Sequence, residues 1–552
     1  MMKNVRENKV LIMVLNILFI ISCPFFTLLF INNLAAALFH VVISYDYITI
    51  NIILSFIIGI FIAFKFNIIK KVIDKITYKS LIVTIAVSIC FLMNYALLEK
   101  HNVYYILNIF KDFFNIEISF FIGLIILSIM ALPAIIIFLN YFIQLVLPIT
   151  KKFFIELSKT EKIYLIIVSI IAVIVTVGIY TNTRLFYNPG KNDVLFTTDS
   201  YFISASRANF NVNSAENDVR QPLFGVAGLP FSTISKIIGS LLFFIPNLEM
   251  IIYNVSQIFL LGISFLLISR MLKLTGKNQI VFLILLFATF PSIIYSFIIE
   301  QYIFSLFYLI LTIYIWYSSY EKVNYTYVMA TGTMLTSGIF FPLISKAKKF
   351  KDFAFDIFKC FIAFVVVFIM FGRIPILVNL SERTESLLEF SGAKVEITDR
   401  LLQYSNFLSS TMYAPESHEE ESQVNGFIDY RLDVTTNVNI LGIIILILAI
   451  LGFIVNRKNK LCIISILWIA FSFAILGIFG WGTQENGLVL YTLYFSWAFI
   501  VLIFSLIEKL FSKISKLKYT LLVSLIISML IINIPAFIEI INFGIKYYPT
   551  IM

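Results

Sequence analysis

Long stretches of this chain pass twenty or more residues without one Asp, Glu, Lys or Arg: 118–150, 163–183, 250–269, 278–299, 301–320, 461–484 and 486–507. Each is close to or beyond the roughly 20 residues that a helix needs to cross a hydrocarbon core. Backbone groups in lipid must be satisfied within the segment, so these runs are expected to be helices, and no strand-like alternation points to a barrel. Only 13% of the 552 residues are charged and the mean hydropathy is +0.97, whereas a soluble domain carries about 25% charged residues. The expected fold is therefore an all-α polytopic membrane protein embedded among membrane lipids.

The net charge of +10 does not point to nucleic acid, because 26 of the 41 Lys and Arg residues fall in seven short segments: 3–9, 65–79, 151–162, 270–277, 346–351, 457–460 and 509–518. Short basic loops mark the cytoplasmic side. Threading helices so that all seven face inward predicts thirteen spans. Four (10–31, 48–66, 80–98, 118–140) form an N-terminal block over 1–150. The core, 151–376, has spans at 163–182, 248–269, 279–297, 301–319 and 353–375. After a polar outer loop at 377–436, four more (437–456, 461–480, 487–507, 519–541) fill 437–552. The N-terminus is then cytoplasmic and the first span is retained, since its uncharged run from Val10 to Tyr45 exceeds the roughly 7–15 apolar residues of a cleaved signal. Two segments resist simple crossing. Residues 222–247, interrupted by Pro222, Pro230 and Pro246, are expected to lie at the outer interface, and 323–345 to form a short helical hairpin turning near Gly332.

The first outer loop, 183–247, carries the densest polar pattern. Asn192-Asp193 and Thr197-Thr198-Asp199-Ser200-Tyr201 are followed by Glu216-Asn217-Asp218-Val219-Arg220-Gln221-Pro222-Leu223-Phe224. A carboxylate at headgroup depth, Asp199 or Asp218, suits a general base acting on a hydroxyl. Arg220 offers a fixed fork of donors for phosphate, and Pro222 biases Gln221 to extended geometry. Simple solvation of the loop is the competing explanation. Glu300 sits at a tight outer turn between two spans, either as an interface marker or in positioning acceptor, metal or carrier. Glu485 is a similar turn acid. Of the late-loop arginines Arg383, Arg400 and Arg431, Arg400 is the candidate for reaching a carrier phosphate. The late loop has eleven acids against four bases and reads as a solvated face. Asp356 and Lys359 are expected to pair or snorkel. His40, His101 and His418 are too scattered for a metal site, and Cys23, Cys90, Cys360 and Cys462 read as small buried apolar groups.

The order of span, Asp199-Ser200-Tyr201, spacer, Asp218-Val219-Arg220-Gln221-Pro222-Leu223, helix and basic-ended span resembles the GT-C superfamily of glycosyltransferases. These use polyprenyl-phosphate-linked sugars and include protein O-mannosyltransferases and lipid A aminoarabinose transferases. The resemblance covers roughly 160–380 by topology and fewer than ten residues in detail. It implies that Asp199 and Asp218 are the catalytic acids, that Tyr201 stands in the first motif, and that Pro222-Leu223 matches the proline motif. Ser200 replaces a second acid, Gln221 a histidine, and one proline is present. Which aspartate is the base, and whether Asp199 and Asp218 hold a divalent metal, are left open. The resemblance implies transfer, with inversion, from a polyprenyl-phosphate sugar to an extracytoplasmic glycan, lipid or protein at a plasma membrane. The bias to Ile, Lys, Asn and Phe points to a bacterial source. No Walker, Rossmann or kinase motif is present. The alternatives are a lipid-linked polysaccharide flippase, an O-antigen ligase or polymerase, and a non-catalytic scaffold.

Overall fold

A computed structural model describes residues 9–39, 45–65, 67–76, isolated positions between 78 and 111, 119–204, 221, 223–318, 323–338, 349–370, 391–422, 424, 426–483 and 487–550. Most are helical. The chain divides into two compact units.

The first unit, built mainly from Met1–Ser158, holds α1 (Lys9–Phe39), α2 (Tyr45–Lys65), α3 (Ile68–Lys75) and α4 (Phe120–Ile155). Phe19, Cys23, Ala63, Val72, Leu127 and Ala131 form its core. Gly59 lets α2 close on α1, since a Cβ there would lie 3.1 Å from the Cys23 sulfur.

The second unit (Lys159–Asn209, Val219–Ala363 and Leu380–Met552) contains α5 (Lys159–Tyr180), α6 (Phe224–Leu241), α7 (Leu248–Met271), α8 (Gly276–Phe287), α9 (Phe290–Phe297), α10 (Tyr302–Ser318) and α11 (Val323–Thr333). Helix α12 (Phe350–Met370) straddles the division. Then come α13 (Ile397–Ser410), the strands β1 (Ser417–Glu421) and β2 (Ile428–Leu432), α14 (Ile440–Val455), α15 (Lys460–Ser472, continuing as a wider turn to Ile478), α16 (Thr492–Leu510) and α17 (Ser515–Tyr547). The protein is thus a largely helical, membrane-embedded chain with an antiparallel hairpin in the acidic late loop, Ser417 facing Leu432 and Glu421 facing Ile428.

Thirteen spans are not found. Among the described residues five helices are long and apolar enough to cross a membrane (α5, α7, α15 with its extension, α16 and α17), or up to seven if two bent pairs each count as one span. The span expected at 80–98 lies largely outside the described residues; elsewhere the shortfall has a physical cause. Apolar composition reports the solvent around a segment, whereas crossing also needs a straight length of about 30 Å. Helix α14 has 16 residues, about 24 Å at 1.5 Å per residue. Helices α8 and α9 meet at a 67° bend.

The second unit has a basic end and a loop end. Lys159, Arg270, Lys273, Lys277, Lys460, Lys509 and Lys518 stand at helix termini on one side; 181–204, 298–301, 391–422, 426–439, 480–483, 487–491 and 548–550 gather on the other. Glu161, buried at the start of α5, is gripped by Arg270 of α7 through Nε at 2.8 Å and Nη2 at 2.9 Å, and by Gln279 of α8 at 3.3 Å. Lys518 of α17 similarly meets Glu508 of α16 at 3.0 Å. Removing one partner of a buried pair strands the other, costing about 3–5 kcal/mol. Arg270→Met is therefore expected to lower the midpoint of thermal unfolding in detergent, and the double change with Glu161→Leu to recover most of that loss.

Helix α6 lies across the loop-end tips of α7 and α10. Phe224 and Phe231 both reach Phe304, at 5.8 and 5.3 Å between ring centres, and Tyr253 reaches the same ring at 5.7 Å. The helix takes up most of the 222–247 segment expected from sequence to lie at the outer interface. Just before it, the Leu223 amide donates to the Gly332 carbonyl at 2.7 Å, and a Cβ on Gly332 would collide with Leu223 at 2.5 Å. The expected hairpin turn near Gly332 is a helix end: α11 stops at Thr333 and a further helical turn follows at 335–338, while 339–345 lie outside the described residues.

Candidate functional site

The loop end is organised by an interruption in the helical ladder. Helix α9 stops at Phe297 and α10 starts at Tyr302, so the intervening carbonyls need partners that water cannot supply once buried. Side chains of α5 and α7 provide them. Tyr180 donates its hydroxyl to the Phe297 carbonyl at 2.8 Å, Asn254 its amide to Ser296 at 2.8 Å, and Gln257 its amide to Glu300 at 2.6 Å. Thr176 in turn donates to the Asn254 side-chain oxygen at 2.8 Å. From the loop side, the Ile299 amide donates to the Phe186 carbonyl.

Glu300 is 1% exposed, and its carboxylate accepts two backbone N–H groups, from Asp199 at 2.5 Å and from Gln301 at 3.1 Å. Charged acceptors make the stronger class of hydrogen bond. Glu300 is therefore a bracket that ties the loop after α5 to the α9–α10 turn at the residue expected to be catalytic.

The loop reaching Asp199 is strained. Asp193, Phe196 and Thr197 have φ of 62°, 49° and 60°, a region unfavourable to bulky or β-branched residues. Such backbone costs of order 1–3 kcal/mol per residue and persists only where surroundings impose it. Here the surroundings are explicit: the Phe196 amide donates to the Tyr430 carbonyl, the Tyr430 amide to Val194, and the Asp193 amide to Thr198. The β-hairpin therefore holds the loop, and Lys191 reaches Asp429 of β2 at 3.0 Å, as Arg431 does at 2.9 Å. Past the strained stretch the Phe202 amide donates to Asn192 Oδ1 at 2.9 Å, setting a short helical turn that begins after Asp199. Asp199 is half-buried and Tyr201 is 36% exposed.

Four tyrosines surround the Glu300 turn. Tyr302 packs edge-on against Tyr295, Tyr494 and Tyr491, with ring centres 5.5, 5.1 and 6.4 Å apart. Residues on either side of 484–486 link this cluster to the other candidates: Gly487 lies against Thr197, where a Cβ would stand 3.1 Å from its hydroxyl, and Gln403 donates to the Thr483 carbonyl. At the start of that loop Arg400 donates through Nε to Val395 and through Nη1 to Ile478, both at 2.9 Å. The wider winding of α15 at Phe473–Ile478 precedes this contact. Arg400 thus fastens α13 to α15.

The late loop is more than a solvated acidic face. Glu419 accepts from the Tyr547 hydroxyl at 2.6 Å and from Lys546 at 3.2 Å, and His418 pairs with Asp433. The Tyr547 hydrogen bond, followed by Lys546, holds the Glu419 carboxyl below its ordinary 4.5. A lowered folded-state value gives stability that is present above the unfolded value and lost as pH falls through the folded one. Amide exchange over 417–421, corrected for intrinsic rate, is expected to match at pH 8 and 6 and to quicken only below about pH 4.

Of the residues expected from sequence, Asp199, Tyr201 and Glu300 are brought together and Arg400 anchors a neighbouring loop. Asp218, Arg220, Pro222, Arg383, Glu485, His40 and His101 lie outside the described residues, as do the side chains of Asp356 and Lys359. Among the described residues no three His, Cys, Asp or Glu side chains cluster as a metal site. The structure adds Asn254, Gln257, Thr198, Tyr295, Tyr302, Tyr491 and Tyr494. A signal existed for two of them, since Asn254 and Gln257 are amides one helical turn apart inside an otherwise apolar span. No family model, no curated protein and no solved structure matches this chain.

Proposed function

We propose that this protein is a glycosyltransferase of GT-C type, moving a sugar from a polyprenyl-phosphate carrier to an extracytoplasmic glycan, lipid or protein at a bacterial plasma membrane. The supporting observation is the bond between the Asp199 amide and the buried Glu300 carboxylate. It fixes a half-buried carboxylate at the loop end of an apolar bundle, where a lipid-linked donor and a water-borne acceptor can meet. Asp199 or Asp218 takes the proton of the acceptor hydroxyl. The acceptor oxygen bonds to the anomeric carbon while the bond from that carbon to the phosphate oxygen breaks, inverting the centre. Polyprenyl phosphate leaves with the electron pair, its charge met by Arg220 and by the N–H groups of Arg400 that the carbonyls of Val395 and Ile478 leave over. Tyr201, exposed beside Asp199, contacts substrate. The basic end then faces the cytoplasm and the loop end the exterior.

The test is purified protein in liposomes, supplied with labelled prenyl-phosphate sugars and cell-envelope extract. The expected result is label in a glycosidic product. Movement of carrier across the bilayer without a new glycosidic bond would identify a flippase instead.

A further inference from the structure

Helix α6 and the span α7 are joined by a turn that presents its apolar side chains outward. Leu241, Leu242, Phe243, Phe244 and Ile245 are all exposed, Phe243 by 84%, Leu241 by 71% and Phe244 by 68%. Exposed apolar residues scattered singly are ordinary on any protein, whereas a contiguous patch marks a surface that meets something. The contrast is present at the same end of the molecule. Val424 and Val434 are exposed too, but each stands alone among polar neighbours.

The turn has the build of a segment that leaves water. No charge occurs from Ile237 to Leu248, with Lys236 and Glu249 bracketing the run. Backbone groups taken into lipid need partners within the protein. Here the Leu242 amide donates to the Ile238 carbonyl at 3.0 Å and the Ile245 amide to Leu242 at 2.9 Å, while Pro246 has no N–H to satisfy. Asn247 reverses the chain at φ 55°, in the left-handed region that asparagine enters more readily than most residues. Gly239 lets the return close, since a Cβ there would lie 3.0 Å from that of Glu249. Pro230 and Ile234 of α6 are exposed as well. Their spacing to Leu241 returns to one helix face, so the outward edge of α6 continues into the turn.

Helix α7 sets the depth. It is long and apolar enough to cross the membrane, begins at Leu248 and carries Arg270 at its far, basic end. The turn therefore stands where the hydrocarbon around that span gives way to headgroups. Five adjacent apolar side chains without an ion, at the rim of a span, match the acyl chains of the surrounding leaflet.

We propose that residues 241–245 are a lipid anchor, inserted among the acyl chains of the leaflet at the loop end and pinning the C-terminal end of α6 to the bilayer. The insertion is the same whichever compartment the loop end faces, and it does not depend on transferase activity.

The experiment places a nitroxide on Phe243→Cys or Phe244→Cys of the full chain in phosphatidylcholine liposomes, with Cys23, Cys90, Cys360 and Cys462 replaced by Ala. Both phenylalanines are exposed, so each labelled variant is expected to keep the parent's thermal midpoint in detergent. Collision with oxygen, which concentrates in hydrocarbon, is compared with collision with a water-soluble nickel chelate. Ile531→Cys, on the exposed face of α17, supplies the lipid reference and Val434→Cys the water reference. Both turn labels are expected to side with Ile531→Cys, oxygen exceeding nickel several-fold. Nickel dominating at both, as at Val434→Cys, would put the turn in water and overturn the anchor. Exclusion of both reagents would mean that a protein partner or a second copy covers the turn, and would overturn it equally.

Discussion

Asp199→Asn is expected to lower sugar transfer by about 10²–10⁴-fold, the range that a positioned general base contributes, with donor binding little changed. The substitution keeps the backbone amide that donates to Glu300 at 2.5 Å and a side chain of the same size, so the loop should hold its place. What disappears is the ability to accept the acceptor's proton. Initial rates in the liposome assay, with donor affinity measured separately, separate a lost base from a lost binding site. A parallel change at Glu300 should behave differently. Glu300→Leu strands the amides of Asp199 and Gln301, so it should lower the thermal midpoint as well as the rate. Glu300→Gln, which keeps an oxygen acceptor, should fall between.

The largest expected effect on stability comes from Asn533, in the middle of α17. It is fully buried, and its amide nitrogen donates to the carbonyls of Ala288 and Met412, both at 2.8 Å, while its oxygen accepts from the Ala414 amide at 2.8 Å. Ala288 is at the bend between α8 and α9, and the Phe290 amide donates to the same Met412 carbonyl. One side chain therefore satisfies the broken helix and docks the segment after α13 onto it. Asn533→Leu removes all three bonds and strands the Ala288 carbonyl and the Ala414 amide, the Met412 carbonyl keeping the Phe290 amide; at about 1–3 kcal/mol for each stranded group the total is roughly 2–6 kcal/mol. Thermal unfolding in detergent should fall more for this change than for Leu at Ser528, which shares one hydrogen bond with Tyr413.

Much of the helical framework is legible in the sequence, because exclusion of charge over twenty residues leaves few alternatives. The spans expected at 163–182, 248–269 and 519–541 correspond to Lys159–Tyr180, Leu248–Met271 and Ser515–Tyr547. The segregation of basic turns from polar loops is likewise written in the positions of Lys and Arg. The bend at Ala288 and Thr289 is not, because hydropathy counts charges and is blind to direction; Pro291 was its one local mark. The strained backbone at Phe196 and Thr197 is equally silent, since it depends on Tyr430, more than two hundred residues away. Glu300 stood out as an acid between two apolar runs, but its role as an acceptor for the Asp199 amide is a long-range pairing that no local pattern encodes. The four tyrosines around it were indistinguishable from the rest of the chain's 28 Tyr residues until packing placed them together.

The sidedness of the loop end carries everything else, and thiol labelling reads it directly. In a background with Cys23, Cys90, Cys360 and Cys462 replaced by Ala, Tyr201→Cys and Lys458→Cys are compared in intact cells with a membrane-impermeant maleimide. Labelling of Tyr201→Cys in intact cells, with Lys458→Cys labelled only after permeabilisation, is the predicted result. The reverse pattern would put Asp199 and Glu300 in the cytosol and contradict the account.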